Sequence, residues 1–154
     1  MKFTIRNAQP ADLDAILALM PRLASFDLPA RRAPKDLWQG DAQILQEWMK
    51  NQHSQFFAFV AVSQTNDILG AATVSMRKEL LSQAPSAHLE ALVVAAEAEG
   101  LGVGKGLMAA TEAEAQERGA KSMSLNVIST NHRARRLYAK SGYHEEMIRN
   151  IKFF

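Results

Sequence analysis

The sequence of 154 residues contains no cysteine. Disulfide bonds, thiolate zinc sites and cysteine nucleophiles are therefore excluded, and the composition fits a reducing compartment. No apolar run reaches the roughly 18 residues that a membrane-spanning helix needs. The opening residues, MKFTIRNAQP, have no apolar segment after the lysine, so we expect no signal peptide. These absences predict a cytoplasmic protein with no membrane partner.

An excess of charge of one sign is also lacking. The 18 basic and 16 acidic side chains give a formal net charge of +2. Proteins that bind nucleic acids carry clustered basic charge, so we expect no nucleic-acid partner. We predict no metal site either.

What is present is the composition of an ordinary globular chain, 47% hydrophobic and 22% charged. Apolar spacing predicts one α/β domain over residues 1–154, with the order β-α-α-β-β-β-α-β-α-β. The predicted strands are 2–7, 55–63, 68–77, 87–95 and 121–129, with one or two more in 143–153. The first predicted helix starts at Pro10 and ends near Pro21. Three more are predicted over 37–51, 103–118 and 131–142. Residues 25–36 and 78–86 are predicted loops.

Glycine is scarce except in one stretch. Four of the eight glycines, Gly100, Gly102, Gly104 and Gly106, fall within seven residues of AEGLGVGKGLM. The stretch does not match the dinucleotide pattern G-x-G-x-x-G, because the third glycine would fall on Lys105 or Leu107. It also fails the pattern G-x-x-x-x-G-K-[ST]. Dinucleotide binding and P-loop nucleotide hydrolysis are therefore disfavoured.

The position of these glycines still points to an anion. A buried strand precedes them and a helix follows, and the first N–H groups of a helix attract phosphate. Without side chains at Gly100, Gly102 and Gly104, an anion can approach the backbone, and Lys105 adds a positive charge. The alternative from these residues alone is a tight turn with close helix packing.

Two segments together resemble the GNAT superfamily of acetyl-CoA-dependent N-acetyltransferases. LEALVVAAEAEGLGVGKGLM matches the family's strand, its Q/R-x-x-G-x-G/A motif and the helix that follows. NVISTNHRARRLYAKSGY matches its second motif, with Asn131, Ala134, Leu137, Tyr138, Gly142 and Tyr143 in the expected positions. The two motifs cover about residues 87–143. The resemblance implies a mixed, mostly antiparallel, splayed β-sheet flanked by about four helices.

The resemblance also implies where acetyl-CoA binds. The backbone of Leu92, Val93 and Val94 would pair with the pantetheine arm as an added strand does. The pyrophosphate would lie on Glu99, Gly100, Leu101, Gly102, Val103 and Gly104. Asn131 would contact the pantetheine arm, besides serving as an N-cap. Lys105, Arg133, Arg135 or Arg136 would meet the ribose phosphate.

One residue departs from the family pattern. The first motif position is usually Arg or Gln, and here it is Glu99, whose carboxylate would repel a pyrophosphate. We expect this position to act through its backbone N–H, with the side chain turned to solvent.

Catalysis of acetyl transfer needs a base and an acid. Strand alternation predicts His88, Glu90, Leu92 and Val94 on one face, with Leu89, Ala91 and Val93 on the other. We predict Glu90 as the general base, acting through water, with His88 as the competing candidate. Glu90 as a structural or substrate-orienting carboxylate is the alternative. A tyrosine on an apolar helix is by itself usually core, but the resemblance implies that Tyr138 protonates the departing thiolate.

The acceptor is expected to be a small amine or a peptide amine. The resemblance implies that residues 21–40 and 143–154 shape its site. Because Arg31, Arg32 and Lys35 offset the nearby aspartates, the sequence does not indicate an acidic acceptor pocket. Rival functions are a non-catalytic acyl-CoA sensor of the same fold and a module for another phosphate ligand. A homodimer is left open.

Overall fold

The computed structural model describes all 154 residues. Its five strands are β1 (Phe3–Asn7), β2 (Phe56–Ser63), β3 (Ile68–Lys78), β4 (Pro85–Val94) and β5 (Met123–Leu125). Its four α-helices are α1 (Leu13–Leu19), α2 (Gln39–Lys50), α3 (Val103–Glu117) and α4 (His132–Lys140). Short 3-10 helices occupy Pro10–Asp12, Met20–Ala24, Pro34–Leu37 and Ala96–Ala98.

The strands form one sheet in chain order, β1-β2-β3-β4-β5. Neighbours are antiparallel except β4 and β5, which run parallel. The α3 crossover between them makes this parallel pair possible, since parallel strands cannot be joined by a tight turn. The predicted mixed, mostly antiparallel sheet with about four helices is confirmed.

The sheet is covered on both faces. Ile16 of α1 and Leu45 of α2 pack with Val60 of β2 on one face. Leu107 of α3 packs with Phe57 on the other face. This double burial explains why FFAFVAV in β2 is a continuous apolar run rather than an alternating one.

The last predicted strands are wrong. The strand expected over 121–129 is hydrogen-bonded only over Met123–Leu125, and no strand forms within 143–153. The tail does not pair with the sheet. Its backbone hydrogen bond runs from Tyr143 N–H to Tyr138 O, at the end of α4. The tail therefore adds no strand to the sheet. Instead Phe153 lies over the guanidinium of Arg32, 5.0 Å from ring centroid to Cζ, which brings the tail to the predicted loop 25–36.

The helix ends follow the expected turn chemistry. Gly119 and Gly142 both take φ of +91°, a left-handed conformation that favours glycine after a helix. Pro21 is the second residue of the 3-10 helix Met20–Ala24, which continues α1. The longest helix, α3, has 15 residues, and no helix has the length and apolar character needed to cross a membrane.

Candidate active site

A groove of about 850 Å³ opens where β4 and β5 separate. The two strands pair only from Ala87 to Leu89 on β4, against Met123 to Leu125. Beyond that point β5 is followed by residues 126–130, which diverge and line the groove. The open edge of β4 over residues 90–94 therefore faces the groove without a strand partner. This is the splay that the family resemblance implies.

Glu90 is an extra residue in β4. Thr73 pairs with Ala91 and the next residue, Val74, pairs with Leu89, so Glu90 has no partner on β3. This β-bulge shifts the alternation of the strand by one residue. The predicted sharing of one face by His88, Glu90, Leu92 and Val94 is therefore wrong. Leu92 and Val94 pack on the α3 side with Leu89, whereas Val93 packs on the α1 and α2 side.

The Glu90 carboxylate is held by two groups of β3. Ser75 Oγ donates to Glu90 Oε1 at 2.5 Å. Arg77 Nη2 forms an ion pair with the same oxygen. Only Oε1 is used in these contacts, and Glu90 lines the groove. The Glu90 carboxylate is therefore fixed at the groove wall, and its Oε2 makes no hydrogen bond or ion pair within the chain.

A second carboxylate lies near Glu90. Asp41, in the first turn of α2, lines the same groove. Burial raises the pKa of Asp41 to about 6, and the negative charge of Glu90 adds to this rise. Asp41 was not among the predicted site residues.

His88 is placed differently from Glu90. Its side chain is buried, and Nδ1 lies 2.7 Å from Ser124 Oγ of β5. Burial lowers the pKa of His88, and the charge of Arg77 lowers it further against the opposing effect of Glu90. His88 does not line the groove. The geometry therefore favours Glu90 over His88 as the base.

The glycine loop forms one end of the groove. Gly100 and Gly102 have φ of +76° and +85°, conformations that other residues adopt rarely. Gly102 is the N-cap of α3, and the N–H groups of residues 102–105 have no acceptor within the chain. They form an open set of donors at a helix N-terminus, where phosphate binds well.

The other two glycines lie within α3 and face neighbouring elements, and only Gly106 is tightly packed. A Cβ on Gly106 would lie 3.0 Å from Ile5 Cδ1 of β1, as expected for a helix-packing glycine. A Cβ on Gly104 would lie 3.4 Å from Leu137 Cδ2 of α4. This is an ordinary van der Waals distance, so alanine would also fit at Gly104, where α3 meets α4 at the wall of the groove.

Glu99 is exposed, as predicted, but its carboxylate is also held by two arginines. Its Oε1 pairs with Arg22 Nη2 and its Oε2 with Arg133 Nη1, both at 2.5 Å. Arg22 also donates from Nε to Val94 O at 2.7 Å. Hydrogen bonds from Arg133 hold the pKa of Glu99 below its usual range, with a further contribution from Arg22. The local formal charge of this triad is +1, the sign that the family's usual arginine would supply.

Not all of the predicted cations face the groove. Lys105, Arg133 and Arg136 line it. Arg135 does not, because it pairs with Glu145 at 2.5 Å and donates to Ser129 O at 3.1 Å. Arg135 is therefore removed from the candidates for phosphate contact.

The start and middle of α4 supply the remaining predicted groups. Asn131 is the N-cap, and its Oδ1 accepts from Ala134 N at 3.3 Å, as predicted. Tyr138 lines the groove, and burial raises its pKa to about 12. Its hydroxyl makes no hydrogen bond within the chain, whereas Tyr143 Oη donates to Glu112 at 3.0 Å. Tyr138 is a protonated phenol at the groove wall.

Sequence reasoning missed four residues that build this site: Arg22, Asp41, Ser75 and Arg77. The alternating polar pair Ser75 and Arg77 on an otherwise apolar strand was a visible sign. Arg22 and Asp41 carry no local pattern, because their roles depend on packing against β4.

Comparison with known proteins agrees with this geometry. The sequence model of the Acetyltransferase (GNAT) family matches residues 20–143. No curated protein sequence matches this chain significantly.

Solved structures extend the likeness to almost the whole chain. The aminoglycoside 6'-N-acetyltransferase AAC(6')-Ih of Acinetobacter baumannii superposes with a TM-score of 0.75 at 19% identity, covering 99% of both chains. Glucosamine-6-phosphate N-acetyltransferase of Arabidopsis thaliana gives 0.73 at 18% identity, over 100% of this chain and 99% of that one. AAC(6')-Iy in complex with the bisubstrate analogue CoA-S-monomethyl-acetylneamine gives 0.74 at 22% identity, over 100% and 98%. At these identities the likeness establishes a common fold.

Proposed function

Because this chain belongs to the GNAT acetyltransferase family, we propose that it moves the acetyl group of acetyl-CoA directly to a primary amine within a ternary complex. The observation that carries the proposal is that Glu90, Tyr138 and the free N–H groups of residues 102–105 all face one groove. We propose further that residues 1–154 act as one domain, since both hydrophobic layers share a single sheet.

The groove has the features that a pantetheine diphosphate needs. The open edge of β4 at residues 92–94 offers main-chain groups for the pantetheine amides. The N–H groups of residues 102–105 suit a pyrophosphate, and Lys105, Arg133 and Arg136 bring positive charge to the same end. Acetyl-CoA, when bound, supplies an acetyl group activated as a thioester.

The residues near Glu90 would prepare the amine. An alkylammonium must lose a proton before its nitrogen can attack, and Glu90 would accept that proton through a water molecule. Ser75 and Arg77 orient the carboxylate by occupying Oε1. A backbone N–H near residues 92–94 would stabilise the charge that develops on the carbonyl oxygen.

Tyr138 would complete the proton balance. As the nitrogen–carbon bond forms, the carbon–sulfur bond breaks, and the phenol proton passes to the sulfur. With a pKa raised to about 12, the hydroxyl of Tyr138 stays protonated at neutral pH and is ready to donate. The nitrogen of the new amide loses its second proton as the carbon–sulfur bond breaks, and this proton replaces the one that Tyr138 gave to the sulfur. The proton taken up at Glu90 returns to solvent, so the reaction releases one proton overall and both side chains are restored.

Two measurements test the proposal. Acetyl-CoA should raise the melting temperature of the protein, since a ligand that binds only the folded state stabilises it. Thiol release from acetyl-CoA should then depend on an added primary amine and should give N-acetylated product by mass spectrometry. Stabilisation without turnover for any amine would favour an acyl-CoA sensor, and no stabilisation at all would contradict both functions.

A further inference from the structure

A second cavity adjoins the groove at Glu90. It has a volume of about 560 Å³, within the roughly 300–1,000 Å³ typical of small-molecule sites. Its walls come from the C-terminal half of α2, the start of β2 and the end of β3. Glu90 is the one residue that lines both this cavity and the groove.

The two compartments extend toward opposite ends of β4. The glycine loop follows the C-terminal end of the strand, after Val94. The cavity is bounded by residues 75–77 of β3, which pair with residues 86–88 in the N-terminal half of β4. A molecule in the cavity therefore reaches Glu90 from the side away from the glycine loop. Direct transfer needs this arrangement, since donor and acceptor must meet at one point without sharing space.

The polar groups of the cavity are available for a ligand. The side-chain amides of Asn51 and Gln55 make no hydrogen bonds within the chain. Amides both donate and accept, as do hydroxyl groups. Trp48, which packs against Phe56 with ring centroids 5.2 Å apart, adds an aromatic surface to the wall.

The charge of the cavity suits a cation. Arg77 in the cavity wall is neutralised by its ion pair with Glu90. Glu47, in the same wall, forms no ion pair, so its negative charge is not offset. Asp41 lies beyond Glu90 on the groove side. Asp41 and Glu47 lie on α2 and Glu90 lies on β4, so the sequence did not indicate that their charges meet.

We propose that this cavity is the acceptor compartment and that it takes a small hydroxylated primary amine, such as an amino sugar. None of its lining residues belongs to 21–40 or 143–154, the segments that the family resemblance implied for the acceptor, so the proposal departs from that expectation. The proposal rests on the acetyltransferase function proposed above. Asn51 and Gln55 are exposed at the cavity, so an alkylamine of equal size would displace water from their amides without replacing its hydrogen bonds, which disfavours it.

The test uses the full chain with two probe amines that share a six-membered ring, glucosamine with hydroxyl groups and cyclohexylamine without them. We expect kcat/KM for glucosamine to exceed that for cyclohexylamine by about 10-fold or more, as for sites built to bind hydroxyl groups. Asn51→Ala and Gln55→Ala should each raise the KM for glucosamine roughly 5- to 10-fold. The Kd of acetyl-CoA, measured by calorimetry, should stay within about twofold, because these residues lie away from the glycine loop.

Gln46→Ala is the matched control, because Gln46 is an exposed side chain of α2 that does not line the cavity. Its KM should equal that of the unchanged protein, and melting temperatures establish that each variant is folded. Turnover with unchanged KM in both cavity variants would overturn the location. If the protein binds acetyl-CoA but does not prefer glucosamine, or acetylates neither probe, the proposed acceptor class would be wrong. Failure of acetyl-CoA to bind would instead contradict the proposed function.

Discussion

Arg22 and Glu99 form an ion pair of 2.5 Å between the turn after α1 and the loop that precedes α3. Arg133 of α4 joins the same carboxylate from the other side of the groove. A carboxylate therefore stands where the family usually has Arg or Gln, and two arginines from distant elements offset its charge.

We predict that Glu99→Gln tightens the binding of CoA about threefold to tenfold at low ionic strength. The change removes a negative charge beside the proposed pyrophosphate site and raises the local formal charge from +1 to +2. Since screening weakens exposed charges, the gain should shrink in about 0.5 M salt. Calorimetry with CoA at both salt concentrations measures this.

Glu97→Gln serves as the control for Glu99, because Glu97 is exposed and makes no ion pair. It removes the same charge two residues away and should change the Kd of CoA much less. Weaker CoA binding in Glu99→Gln would instead mean that Glu99 positions the two arginines for the phosphate.

Tyr138→Phe should lower kcat roughly 100-fold while the Kd of acetyl-CoA changes less than about twofold. The physical reason is loss of the one phenolic proton at the groove wall, with little loss of packing. Stopped-flow or steady-state thiol release at saturating amine gives kcat. Tyr143→Phe removes a hydroxyl bonded to Glu112 rather than facing the groove, and it should leave kcat nearly unchanged. Equal effects of the two substitutions would exclude an acid role for Tyr138.

Glu90→Gln should cost about 100-fold in kcat near pH 6.5 and clearly less near pH 9, where free amine forms without help. His88→Gln keeps a polar partner for Ser124 and should retain the pH profile. Profiles of kcat against pH for both variants decide between the two residues. A loss that is equal at every pH would assign Glu90 a structural role, and a loss confined to His88→Gln would make His88 the base.

Asp41→Asn should stabilise the protein at pH 7.5 by about 1 kcal/mol, a value reduced because the side chain is partly exposed. The folded chain holds the Asp41 proton up to about pH 6, whereas the unfolded chain releases it near pH 4 (roughly 3.9). Stability due to this group therefore falls as pH rises through that window, and the substitution should gain little at pH 4.

Urea denaturation of Asp41→Asn at pH 4 and 7.5 measures both values. Asp14→Asn, at an exposed position of α1, should show no comparable gain at pH 7.5. Destabilisation of Asp41→Asn at pH 7.5 would contradict the raised pKa.

Local patterns predicted the elements that are set by local chemistry. The glycine turn, the N-cap at Asn131 and the buried strands all depend on residues close in sequence, and their positions were predicted to within a few residues. The bulge at Glu90 could not be predicted, because it is a mismatch between two strands and alternation within β4 alone gives no sign of it. The strands predicted within 143–153 are wrong, because no neighbouring strand pairs with the tail.

The partners of Glu90 and Glu99 were beyond sequence reasoning as well. Arg22 is 77 positions from Glu99, and its role exists only because the turn after α1 packs across the end of β4. Ion pairs between residues that are far apart in sequence leave no periodic pattern, so the structure is needed to identify the partners.

The extra residue at Glu90 also limits how β4 can change in length during evolution. Removing Leu92 or Val93 would take a side chain out of one of the two hydrophobic layers. Removing Glu90 itself would give β3 and β4 a regular register from Thr73 to Val74 and leave both hydrophobic layers in place. The deletions that regularise the register and keep both layers are those of Glu90 and Ala91. The first of them removes the residue proposed to carry the chemistry, so a GNAT-like fold could outlast the loss of its activity by a single step.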